Sequence, residues 1–181
     1  MFFNYKSLIF LVVLFSYSCH DKTQNSGFKN GLVVSAKIEA SQAGINILKQ
    51  GGNAFDAMIA TELALAVVYP NAGNLGGGGF LVYRLSDSST GSLDFREKSP
   101  LQSKKNMYLN NKGNEIEGLS TTGALSVAVP GTVAGIFKIY EKYASLPLNV
   151  LFEPAIKLAE NGFLLTSNQA QSLNSNYKTI K

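Results

Sequence analysis

From Gly31 onward the apolar and polar positions fall into regular patterns. "GLVVSA" (residues 31–36) is a short β-branched run that predicts a strand. "IEASQAGINILKQGG" (38–52) carries helical spacing and stops at Gly51 and Gly52, where a glycine at the C′ position closes many helices. "NAFDAMIATELALAVVYP" (53–70) follows, with Asn53 as the expected N-cap and Pro70 as the stop. Twelve of residues 54–68 are apolar, and only Asp56, Thr61 and Glu62 interrupt them. A helix apolar on nearly every side is buried in a layer, and this one is too short to span a membrane.

Five of the seventeen glycines then fall within residues 71–79, four of them consecutive, Gly76 to Gly79. "FLVYRL" (80–85) is apolar on both faces until Arg84, the pattern of a central strand. "SDSST" and Gly91 supply turn chemistry, and "SLDFR" (92–96) returns as the second strand of a hairpin. A period of two places Leu93 and Phe95 on one face, Asp94 and Arg96 on the other. Residues 101–120 are polar and loop-like, and "LSVAVPG" (125–131) predicts another strand running into a turn. "TVAGIFKIYEKY" (132–143) sets Val133, Ile136, Phe137 and Tyr140 on one helical face. "LNVLFEPAIKLAENGF" (148–163) predicts its antiparallel partner across the short linker "ASLPL", with Asn149 as N-cap and Gly162 at C′. No internal repeat appears, and the order of elements implies an α+β class, a mixed sheet with helical layers.

Composition narrows the function classes. Net charge is +4, carried by fourteen scattered lysines and two arginines, Arg84 and Arg96, against twelve acids. Scattered lysines make a solvated surface, and no nucleic-acid partner is expected. One Cys and one His exclude an intrachain disulfide and a Cys/His zinc cluster, so no metal or other cofactor is expected.

The N-terminus reads as a targeting segment. "MFFNYKSLIFLVVLFSYSC" has one cation, Lys6, then an apolar run from Leu8 to Phe15. Eight helical residues reach only about 12 Å across a hydrocarbon core of about 30 Å, which fits a signal peptide over residues 1–18. "LFSYSC" resembles a bacterial lipobox, making Cys19 the expected lipidation site and a lipid anchor the expected tie to a membrane; a plain secretory signal is the alternative. Residues 19–30 form a polar tether, residues 31–181 the folded domain, and the expected location is the periplasm or a membrane facing it.

The glycine run fails as a phosphate loop. A Walker loop needs Lys and Ser or Thr after its last glycine, and here Phe80 follows Gly79. A dinucleotide fingerprint lies between a strand and a following helix, whereas here a helix precedes and a strand follows. Two readings stay open: glycine supplies positive φ and close backbone approach where helix passes into strand, or it walls a ligand pocket.

"GGNAFDAMIATELALAVVYPNAGNLGGGGFLVYRL", "LDFREKSP" and "LSVAVPGTVAGIFKIYEKYASLPLNVLFEPAIKLAENGF" together resemble the N-terminal part of γ-glutamyltransferases (glutathione hydrolases), from about Gly31 to Ser167. The resemblance implies the N-terminal-nucleophile (Ntn) hydrolase αββα sandwich, with only its N-terminal portion present. It also implies a precursor cut into large and small subunits, a Thr nucleophile whose own α-amino group is the base, and glutathione as the γ-glutamyl donor. Arg96 in "DFRE" matches the Arg that grips the donor α-carboxylate, a role suited to a rigid, two-pronged guanidinium. An ion pair with Asp94 is the plainer use of Arg96, and Arg84 reads as structural. No Thr-Thr-His-type motif occurs, and "STTG" (120–123) reads as cap or turn chemistry. The chain is therefore expected to be an N-terminal fragment, inactive alone, whose partner is the remainder of the same precursor. The alternatives are a dead lipid-anchored remnant or γ-glutamyl-binding module, and a cephalosporin-type acylase on the same fold.

Overall fold

The computed structural model describes residues 30–180. The signal peptide, Cys19 and the tether up to residue 29 lie outside the described residues. The elements run α1 (Ile38–Lys49), α2 (Ala54–Val68), β1 (Phe80–Arg84), β2 (Thr90–Asp94), a 3₁₀ turn (Ala124–Ser126), α3 (Thr132–Tyr143), α4 (Leu148–Asn161), α5 (Ser167–Ser175) and α6 (Tyr177–Ile180).

Helix α2 is the hub. Its Asn53 cap accepts from the amides of Phe55 and Asp56, while the Asp56 carboxylate accepts from the Asn53 amide, closing a capping box. Because α2 is apolar all round, it packs against α1, α3 and α4 at once. Ile59, Ala60, Leu63 and Ala57 of α2 meet Ile47 of α1, Ile136 and Ile139 of α3, and Leu151 and Ala155 of α4 in the main core. A smaller cluster joins Ala40 and Ala43 to Ala64 and Val68. The predicted pairing of α3 with α4 is thus corrected: each has α2 as its main neighbour, because only α2 offers apolar surface on every side.

β1 and β2 pair antiparallel, with Leu81 opposite Leu93 and Tyr83 opposite Gly91. The inner face, including Leu81, Leu93 and Phe95, packs on the helical core. The outer face is open: Phe80 is 65% and Val82 81% exposed. "FLVYRL" is therefore half covered rather than central, since among the described residues β1 has β2 as its one strand neighbour.

Three further expectations change. Residues 31–36 form no strand, because among the described residues no ladder partner lies beside them; Val33 instead rests against Gly44 of α1. "LSVAVPG" becomes the end of the 3₁₀ turn and one isolated bridge, Lys98 with Val129, since among the described residues no further ladder partner lies beside it. Helix α4 starts one residue before Asn149, with Pro147 at the N-cap. Gly51 and Gly162 end their helices in the left-handed region, as the sequence implies.

The buried face of α3 is also rotated from the expected one. Thr132, Gly135, Ile136 and Ile139 point inward, whereas Val133 and Phe137 stay 46% and 39% exposed. The cause is Phe95. Its ring lies against Gly135 where a Cβ would collide with it, so the face with the small residue turns toward the hairpin.

Candidate functional site

Gly76 to Gly79 connect the turn after α2 to β1. None of the four has positive φ, so the conformational half of the structural reading is wrong at these positions. Close approach is what they supply. A Cβ on Gly78 would fall 2.6 Å from the Phe95 carbonyl oxygen, 2.8 Å from Arg96 Cα and 2.8 Å from the Glu97 nitrogen. A Cβ on Gly79 would meet the Phe95 ring at 2.9 Å. The ladder runs one step past β1 and β2, the Phe95 amide donating to Gly79 O at 3.0 Å.

Across this segment lies the start of α3. Gly77 O accepts from the amides of Gly131 at 2.9 Å and Thr132 at 3.1 Å, so the glycine run caps the helix N-terminus. Lys98 and Val129 exchange both backbone hydrogen bonds, at 3.1 and 2.8 Å. A Cβ on Gly131 would collide with the Phe95 carbonyl oxygen. Phe95, Arg96 and Glu97 are thereby packed closely against both the glycine run and residues 129–131.

Arg96 emerges from that junction on the open face. Its side chain is 60% exposed, its Nε lies 3.1 Å from Glu97 Oε2, and its guanidinium stands 5.5 Å over the Phe80 ring. The pairing with Asp94 does not form. The Asp94 carboxylate instead accepts from the Arg96 backbone amide at 2.9 Å, which leaves the guanidinium to Glu97. Beside it runs a groove of about 280 Å³ flanked by Asp94, Arg96, Lys98 and Lys138. With Arg96 paired to Glu97, the two lysines outnumber Asp94 at the groove, and this positive excess suits an anionic ligand.

Arg84 lies elsewhere, at the hairpin turn, where it donates to Ser88 Oγ at 3.1 Å. "STTG" is turn chemistry: the amides of Thr121 and Thr122 both donate to Gly118 O. Among the described residues no group of three or more His, Cys, Asp or Glu side chains converges. Glu97 and Phe80 escape sequence reasoning. Strand parity puts Glu97 on the inner face, but β2 ends at Asp94, and beyond it the alternation no longer holds side chains apart. The register, Phe80 opposite Asp94, carries the signal that Phe80 shares the outer face with Arg96.

The family model for gamma-glutamyltranspeptidase matches residues 40–181. A glutathione hydrolase proenzyme of Pseudomonas sp. (strain A14) is 52% identical to this chain, over 81% of the chain and 26% of the relative. The glutathione hydrolase proenzyme of Escherichia coli (strain K12) is 45% identical, over 80% and 25%. The crystal structure of Helicobacter pylori gamma-glutamyltranspeptidase superposes with a TM-score of 0.79 at 48% identity, covering 83% of this chain and 43% of that one. The chain therefore spans about a quarter of the length of these curated relatives. It shares part of the Ntn-hydrolase fold of the solved enzyme, and its described residues supply helices and one two-stranded hairpin.

Proposed function

The chain belongs to the γ-glutamyltranspeptidase family, and from that premise we propose that it is the part of a γ-glutamyltransferase, or glutathione hydrolase, that holds the γ-glutamyl donor. Arg96 binds the donor α-carboxylate through the two-pronged pairing that guanidinium allows. The observation that carries this reading is the placement of Arg96 on the open face of the hairpin, stacked over Phe80 and paired through Nε with Glu97. Phe80 and the Glu97 carboxylate limit the guanidinium's freedom before substrate arrives, so less order is lost on binding.

The chemistry follows from the donor's position. A Thr hydroxyl from another segment of the precursor, deprotonated by its own α-amino group, attacks the γ-carbonyl carbon. The C–N bond breaks, the amine leaves with the proton, and an acyl-enzyme forms. Water then releases glutamate, or an amino acid takes the γ-glutamyl group. Because the chain's own sequence holds no Thr-Thr-His-type motif, the 181-residue chain alone should release no glutamate from glutathione.

The experiment is Arg96→Ala and Arg96→Lys in the complete polypeptide that carries this segment. A hydrogen bond to a charged group is worth about 1.5–3 kcal/mol, so KM for glutathione should rise at least about tenfold. An unchanged KM refutes the role of Arg96. A β-lactam side-chain amide turned over faster than glutathione would instead favour the acylase reading. Residues 1–18 and Cys19 fit export and lipidation: a palmitate analogue should label the protein and fail to label Cys19→Ser. Among the described residues no helix is long and apolar enough to cross a membrane.

A further inference from the structure

We infer that Gly78 and Gly131 are positioning residues for Arg96: both close on the backbone between Phe95 and Glu97 and so aim the guanidinium. The inference rests on the reading of Arg96 as the donor contact. It assigns the glycine run a part in ligand binding exerted through Arg96.

The four glycines are not equivalent. A Cβ on Gly76 would meet only Asn74 Oδ1, at 3.4 Å, an ordinary contact. On Gly77 it would touch two side-chain tips, Asn74 Oδ1 at 3.2 Å and Glu97 Oε1 at 3.6 Å. On Gly79 it would press the Phe95 ring, which faces the core. Only Gly78 bears on the backbone of Arg96, at three atoms running from the Phe95 carbonyl to the Glu97 nitrogen. Backbone atoms cannot rotate aside as a side-chain tip can, so any substituent must push Arg96 Cα.

The other jaw is Gly131. A Cβ there would collide with the Phe95 carbonyl oxygen and lie 3.1 Å from Arg96 O. The jaws are joined, since Gly77 O accepts from the Gly131 and Thr132 amides. Glu97 carries the same constraint to the guanidinium, because its nitrogen abuts Gly78 and its carboxylate pairs with Arg96 Nε. A shift at Gly78 therefore moves both the base of the Arg96 side chain and the carboxylate that orients it. A displaced guanidinium meets the donor carboxylate with one prong or at a poor angle, which weakens a charge-assisted, two-pronged pair.

The test is a graded series in the complete enzyme, reading KM for the γ-glutamyl donor, kcat and Tm for Gly76→Ala, Gly77→Ala, Gly78→Ala and Gly131→Ala beside Arg96→Lys. Gly76→Ala should match the wild type. Gly77→Ala should raise KM a few-fold, about 2–5, and Gly78→Ala and Gly131→Ala about tenfold or more, with kcat near wild type. A purely structural role would lower Tm and yield while leaving KM flat, and that result overturns the proposal. So does a fall in kcat equal to the fall in kcat/KM. Should Gly78→Ala and Gly131→Ala not fold, the comparison of Gly77→Ala with Gly76→Ala decides alone. Arg96→Lys separates the two levels: an unchanged KM there sinks the donor reading and the clamp with it. A raised KM for Arg96→Lys with a flat glycine series sinks only the clamp.

Discussion

The Asp56 carboxylate accepts hydrogen bonds from both the backbone amide and the hydroxyl of Ser145, 89 positions along the chain, at 3.0 and 2.6 Å. It also accepts from the amides of Asn53 at 2.8 Å and Leu146 at 3.3 Å. No cation pairs with this fully buried group among the described residues; amide and hydroxyl dipoles replace its hydration. Asn53 adds a bond from its Nδ2 to Tyr143 O at 2.7 Å. The start of α2 is thereby fastened to the end of α3.

Asp56→Asn should therefore destabilise the fold by about 3 kcal/mol, because one amide oxygen cannot serve all these donors and the new NH₂ faces them. Urea unfolding of the otherwise unchanged chain measures it. A loss under about 1 kcal/mol would mean that water reaches these donors and the junction is not sealed.

Glu62, also on α2, makes the opposite prediction. Burial raises its carboxyl above the ordinary 4.5. The folded state then keeps this proton after the unfolded chain has lost it. Its contribution is present below about pH 4.5 and is lost as pH rises through the raised value. Glu62→Gln should raise Tm at neutral pH, by no more than about 1 kcal/mol of stability given the solvent screening of a partly exposed group. The gain should vanish below about pH 4. A gain that persists in acid would trace to packing and not to the charge.

The elements that sequence alone gives correctly are those whose signals are local. Asn53 caps α2, Gly51 and Gly162 end helices, and alternation in "SLDFR" separates Leu93 and Phe95 from Asp94 and Arg96. What fails depends on a partner distant in sequence. Val133 and Phe137 are as apolar as the residues α3 buries, and only the fit of Phe95 against Gly135 selects between the faces. The resemblance of "DFRE" singles out Arg96, whose donor-binding role is the proposal made above; its hold on Glu97 is not legible in the sequence, because it forms only where the ladder stops.

That selection of a helix face is testable. Gly135→Ala should cost about 1–3 kcal/mol by overpacking the Phe95 ring, although alanine favours a helix over glycine by up to about 1 kcal/mol. Combining it with Phe95→Leu should cost less than the sum of the two single changes, as expected for residues in contact. Strict additivity would show that Phe95 does not set the orientation of α3.

The aromatic cluster at the far end of the hairpin gives the last prediction. Phe55 stacks on Tyr143 with centroids 4.4 Å apart, and Tyr83 shares a hydroxyl hydrogen bond with Tyr143. Lys142, its ammonium beside the same ring, holds the Tyr143 hydroxyl below the ordinary 10.0, with the Tyr83 bond acting in the same direction. The bond to Tyr143 raises Tyr83 above 10.0, and Tyr143 raises Lys142 above 10.5. The signs differ. The Tyr143 contribution is present above pH 10.0 and is lost as pH falls through its lowered value. Those of Tyr83 and Lys142 are present below pH 10.0 and 10.5 respectively, and are lost as pH rises through their raised values. Tyrosinate absorbance should therefore show one early ionisation that disappears in Tyr143→Phe and moves upward in Lys142→Met. Tyr143→Phe should also flatten the dependence of stability on pH around pH 10, since all three shifts depend on its hydroxyl. An onset of tyrosinate absorbance identical in Lys142→Met and the wild type would show that the ammonium does not act on Tyr143.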